Sequence, residues 1–167
     1  FYSKTDTEVI LNAYKQWGIN SFSKFNGMWS FAILDIKQKK LIISRDRYGV
    51  KPCYYYNDNE KFIFSSEIKG IYSSNTEIYF DKNKLIYEQR LLEGAFTTSF
   101  HKIDIIEPGS YCIINLENHK IHKNRWWKSL ENLPLININI KKIKENLKHL
   151  LYEATKIRLV ADVNIAT

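Results

Sequence analysis

The sequence predicts an α+β fold: mostly antiparallel strands with helices on their faces, followed by one long amphipathic helix. Three observations carry that expectation. Apolar runs meet at polar turns over residues 37–40 and 57–60, the pattern of two β-hairpins. Helix-period apolar residues recur at Ile10, Ala13, Tyr14 and Trp17. Farther on, Ile140, Ile143, Leu147, Leu150, Ala154, Ile157 and Ala161 alternate spacings of three and four, with Leu151 widening the stripe.

Taken in order, Thr5-Asp6-Thr7-Glu8 reads as a capping box, with Thr5 at the N-cap and Glu8 bonding back. Asp6 falls in the first turn, where the helix dipole favours a carboxylate. Gly18 supplies a left-handed stop. Asn26-Gly27 marks a tight turn into a strand over 28–36, apolar on both faces and so expected to lie between layers. The chain returns over 41–44, and a second hairpin pairs 54–56 with 61–65. A short helix follows at 66–71. Asp81 caps another through Leu85, Ile86, Leu91 and Leu92 to Gly94. Pro108-Gly109 turns into a strand over 111–115, and a further strand around 120–122 ends at Trp126-Trp127. The aperiodic, Asn-rich stretch 129–139 reads as an interdomain connection. The long helix then opens a second domain, with a coiled-coil homodimer as the alternative.

With 167 residues, 44% hydrophobic and 14% aromatic, the chain can fill a core, so disorder is not expected. The net charge of +7 is spread over loops and helix faces, and a nucleic-acid partner is not expected. No apolar run approaches the roughly 20 residues that span a bilayer, and no membrane association is expected. Cys53 and Cys112 sit in apolar runs and read as two buried thiols rather than a disulfide. His119 and His122 have ligand-like spacing but no third donor, so no metal site is assigned. Arg45, Asp46, Arg47 and Lys51 crowd one turn and predict a structural ion network; Trp126-Trp127 predicts a hydrophobic closure at the domain seam. The chain starts at Phe1 and stops at Thr167 without a capping signal, so a cytoplasmic fragment is expected.

Several strings in order carry a family resemblance: Thr5 to Val9, Phe25 to Asp35, Arg45 to Tyr55, Phe64 to Ile71, Phe100 to Gly109, Arg125 to Trp127 and Ile157 to Val163. The chain resembles the glutamine-hydrolysing asparagine synthetases, members of the class II glutamine amidotransferases. The resemblance implies a partial αββα sandwich of the N-terminal-nucleophile type, followed by the first helix of an α/β adenylating domain. It implies a truncated glutaminase domain over 1–128, a linker over 129–139 and the start of the synthetase domain over 140–167. It implies that Asp6 pairs with the α-ammonium of glutamine, a task suited to a charge-assisted bond. The family's nucleophilic cysteine and pyrophosphate loop have no match in these residues, so no catalytic residue is assigned. Neither Cys53 nor Cys112 is a candidate nucleophile, and this stretch alone is expected to be inactive. For the whole protein the resemblance implies glutamine, aspartate and ATP as substrates, with Mg²⁺, and leaves a homodimer open. Two alternatives stay open: an amidotransferase acting on another adenylated carboxylate, and a degenerate module kept for binding.

Overall fold

A computed structural model describes residues 1–58, 60–74, 78–85, 98–128, 133 and 139–159. The chain divides into two compact units, Phe1–Ser129 and Leu130–Thr167.

In the first unit, helix α1 (Asp6–Trp17) leads through a 3-10 helix (Gly18–Lys24) into strands β1 (Ser30–Asp35) and β2 (Lys40–Arg45). Strands β3 (Tyr54–Asn57) and β4 (Phe62–Ser65), helix α2 (Ile68–Tyr72), and strands β5 (Ile103–Ile105), β6 (Ser110–Asn115) and β7 (Ile121–Arg125) follow. They form two antiparallel sheets, ordered β1-β2-β6-β7 and β4-β3-β5.

The period-2 alternation of strand side chains decides the layering. On β2, Ile43 joins Cys112 and Ile114 of β6 and Tyr55 of β3 in a core between the sheets. Its neighbour Ile42 faces the other way and packs with Ile33 and Phe22, against Ile10 and Tyr14 of α1. In the smaller sheet, Tyr56 and Ile103 turn outward onto Ile71 of α2. The order is therefore helix, sheet, sheet, helix, the αββα arrangement expected. Ile42, Ile43 and Phe22 are fully buried, each worth about 1.5–3 kcal/mol of transfer free energy for an aliphatic or phenyl side chain.

Three local expectations are corrected. The capping box does not form: Thr5 is the N-cap but its side chain makes no capping bond. Glu8 instead accepts from the backbone N–H of Tyr2 at 2.8 Å and of Ser3 at 2.6 Å, tying down the preceding segment. The strand expected between layers is an edge strand. On β1 only Ile33 is buried, whereas Leu34 is 58% exposed, because no described element covers that face at the sheet edge. Two-sided burial belongs to β2, the strand one place inward. Finally, β5 has no counterpart among the strands that the sequence pattern predicts. It is three residues long and exists through pairing with β3, Tyr54 opposite Ile105 and Tyr56 opposite Ile103.

Other expectations agree with the structure. Gly18 does end α1 at a positive φ of +57°, though its ψ of −139° lies outside the left-handed helical well, and its N–H closes the helix on Tyr14 O. Asp81 caps a helical turn, its Oδ1 accepting from the N–H of Asn83 at 3.0 Å and Lys84 at 3.3 Å. The continuation of that helix through Ile86, Leu91 and Leu92 to Gly94 lies outside the described residues. So do residue 129 and most of the connection that follows it, and Val160 to Thr167.

The second unit contains helix α3 (Ile140–Arg158). Asn139 caps it, its Oδ1 accepting from Lys142 N–H at 3.2 Å. Nineteen residues make it about 28 Å long.

Candidate functional site

Asp6 opens α1 on the rim of a cleft of about 360 Å³. Asp6, Val9 and Ile10 supply one side. The other is a wall made by the end of the 3-10 helix and the approach to β1: Lys24, Phe25, Asn26, Gly27, Met28 and Trp29. The Asp6 carboxylate is exposed, and among the described residues it has no hydrogen-bond or ion-pair partner. Across the cleft, the backbone groups of Asn26, Gly27 and Met28 likewise bond to no described residue. An unpaired carboxylate facing free amide and carbonyl groups has the donors and acceptors that a small zwitterion requires.

The wall is held from behind by the charged turn after β2. Asp46 is 1% exposed, and its carboxylate accepts four backbone N–H groups: Trp29 at 3.2 Å, Tyr48 and Val50 at 3.1 Å, and Lys51 at 3.0 Å. Its own N–H donates to Trp29 O at 2.9 Å, and its carbonyl accepts from Gly109 N–H at 2.7 Å. Buried Arg45 donates to Lys51 O at 2.7 Å, to Ile106 O at 2.8 Å and to Gly49 O. Burial presses its guanidinium below the ordinary arginine value, and Asp46 opposes that shift. Arg47 donates to Phe25 O and, at 2.8 Å, to Ser23 O. The expected ion network is thus corrected. Among the described residues no salt bridge joins Arg45, Asp46, Arg47 or Lys51; the Arg and Asp charges are spent on backbone groups. Backbone dipoles satisfy a buried charge without the geometric demands of a matched ion pair.

The remaining sequence candidates lie elsewhere. Cys53 and Cys112 are buried at 3% exposure each in the core between the sheets. Burial pushes the Cys112 thiol up to about 12 and raises that of Cys53. His119 occupies a turn at φ +57° and His122 an exposed position on β7; among the described residues no cluster of three His, Cys, Asp or Glu side chains forms. Trp126 stacks on Trp29 and, with Trp127, lies under the Arg47 guanidinium. Sequence reading missed the wall itself. Asn26-Gly27 signalled only a turn, and nothing local places that turn opposite Asp6, 20 residues earlier in the chain.

Residues 1–127 match the family model for the glutamine amidotransferase domain. The chain belongs to that family. The amidotransferase domain has relatives that span nearly its whole length. A Methanocaldococcus jannaschii protein provisionally named a glutamine-hydrolysing asparagine synthetase is 37% identical over 96% of this chain and 32% of its own length. The amidase chry2 of Gibberella zeae is 29% identical over 99% of this chain and 25% of its own. The glutamine-hydrolysing asparagine synthetase 2 of Bacillus subtilis is 30% identical over 99% and 24%. The chain thus spans about a quarter to a third of the length of the relatives it matches. Among solved structures, the glutamine phosphoribosylpyrophosphate amidotransferase of Bacillus subtilis superposes with TM-score 0.51 at 20% identity, over 76% of this chain and 24% of that one. That similarity concerns the fold. Among the described residues of the amidotransferase chain, no helix is long and apolar enough to cross a membrane.

Proposed function

We propose that the cleft receives glutamine, with Asp6 bonding its α-ammonium group, and that the whole protein is a glutamine-dependent asparagine synthetase. Ammonia released from the side-chain amide would then attack aspartate activated by ATP, with Mg²⁺ accompanying the nucleotide as substrate. The single observation that carries the donor half is the unpaired Asp6 carboxylate on a cleft of a domain matched to glutamine amidotransferases. A carboxylate there selects an amino acid over a plain amide, because only the former brings a cation. The acceptor half is supported by the synthetase-named relatives.

The test uses the complete gene product and its Asp6→Asn variant. Loss of one charge-assisted bond, about 1.5–3 kcal/mol, raises the glutamine KM by roughly 10- to 100-fold. Synthesis driven by added ammonium should stay near the unaltered level. Equal loss of both activities would assign Asp6 to the fold instead.

A second reading shares the donor half but changes the acceptor: another adenylated carboxylate replaces aspartate. A relative matched over 99% of this chain that is named an amidase rather than an asparagine synthetase supports keeping the acceptor open. Pyrophosphate release with ATP, ammonium and a panel of carboxylic acids separates the two. Release that requires aspartate supports the synthetase; release with a different acid and none with aspartate supports the alternative.

A further inference from the structure

We infer that Arg47 is a positioning residue for the donor cleft: it shapes the wall opposite Asp6 without touching the ligand. The inference rests on the glutamine reading of that cleft. Arg47 lies in the turn after β2 and is not among the residues that line the cleft. Its guanidinium nevertheless grips the near end of the wall, donating to Phe25 O and Ser23 O. The same guanidinium sits 4.8 Å from the Trp127 ring centroid and 5.4 Å from that of Trp126. Trp126 stacks on Trp29 with centroids 5.4 Å apart and planes 14° apart. Trp29 is the far end of the wall, where Asp46 also holds it.

Both ends of the wall thus lead back to one side chain, by hydrogen bonds at Phe25 and through stacked indoles at Trp29. The span between them, Asn26 to Met28, has no bond of its own to any described residue, so its placement is set at its ends. Arginine suits this task where lysine does not. Its planar fork serves two carbonyls at once while its face lies on an indole; an ammonium is a point charge without that plane.

The complete gene product carrying Arg47→Lys, and separately Arg47→Met, tests this. Two readouts are taken: the glutamine KM beside ammonium-driven activity, and the far-ultraviolet exciton circular dichroism of the Trp29–Trp126 stack without ligand. Expected are a KM rise of about tenfold in Arg47→Lys, ammonium-driven activity retained, and a weakened exciton signal in both variants. Arg47→Lys keeps the charge, so it also serves if Arg47→Met fails to fold. Glutamine KM and exciton signal both equal to the unaltered protein would overturn the inference. So would parallel loss of glutamine- and ammonium-driven activity, which marks a merely structural role. Failure of the underlying reading looks different: Asp6→Asn would then leave the glutamine KM unchanged. In that event an exciton signal unmoved by the Arg47 variants still overturns the positioning of the wall.

Discussion

The Tyr14 hydroxyl donates to Asp35 Oδ2 at 2.8 Å, joining helix α1 to the end of edge strand β1. Burial and this bond to a carboxylate raise the Tyr14 phenol to about 12 from 10.0. On the other side, the Gln38 backbone N–H and the Tyr14 hydroxyl lower the Asp35 carboxyl. Tyr14→Phe should cost about 0.5–1.5 kcal/mol near neutral pH. The phenol's pKa is raised by folding, so its contribution is complete below pH 10 and fades as pH climbs toward about 12. The stability gap between the unaltered protein and Tyr14→Phe, measured by urea unfolding, should narrow over that window. A gap that does not change would show the bond does not govern the titration.

Gly49 and Gly18 both have positive φ, +66° and +57°, but only one is crowded. A Cβ at Gly49 would meet Pro108 Cγ at 2.8 Å and Arg45 Cζ at 2.9 Å, while one at Gly18 meets nothing within 4 Å. Gly18→Ala should cost about 1–3 kcal/mol for its positive-φ, extended-ψ backbone alone. Gly49→Ala should cost clearly more, because the Arg45 fork must also shift. Denaturant midpoints of the two variants check the order.

Cys53 and Cys112 should be inert in the native state. Both thiols are buried, and burial holds them protonated at neutral pH, Cys112 at about 12. Reaction with an aromatic disulfide reagent should be negligible until denaturant is added. The double Cys53→Ser, Cys112→Ser variant should keep any glutaminase activity the complete protein has. Loss of glutaminase activity at retained stability would place the nucleophile among these residues after all.

Ile42 and Leu34 separate the inner strand from the edge strand. Ile42 is fully buried and Ile42→Ala should cost about 2–5 kcal/mol. Leu34 is 58% exposed, and Leu34→Ala should cost about 1 kcal/mol or less. Thermal unfolding of the two variants of this chain tests whether β1 keeps its open face.

Much of the first unit was legible because its signals are local. The hairpin turns at 37–40 and 57–60, the helix face of Ile10, Ala13 and Tyr14, and the glycine stop at Gly18 depend on residues close in sequence. Asp6 could be named a candidate because its place in the first helical turn is a local fact. The failures share a cause. Whether β1 or β2 is buried on both faces depends on strand order, and β5 exists only because β3 accepts it. The ion network failed for a related reason. Charge type predicts attraction, but Asp46 and Arg47 bond to backbone groups of Trp29, Phe25 and Ser23 and form no salt bridge among the described residues.

By itself the sequence determined the α+β class, most strands and helices, and the run of motifs that marks the family, since each is written in spacing and residue type over short stretches. Only the tertiary structure decided what faces Asp6, because the cleft wall is placed by hydrogen bonds and ring stacking from residues about 20 and 100 positions away in the chain. Short-range preferences bias the backbone locally, but long-range register depends on which surfaces can be buried together.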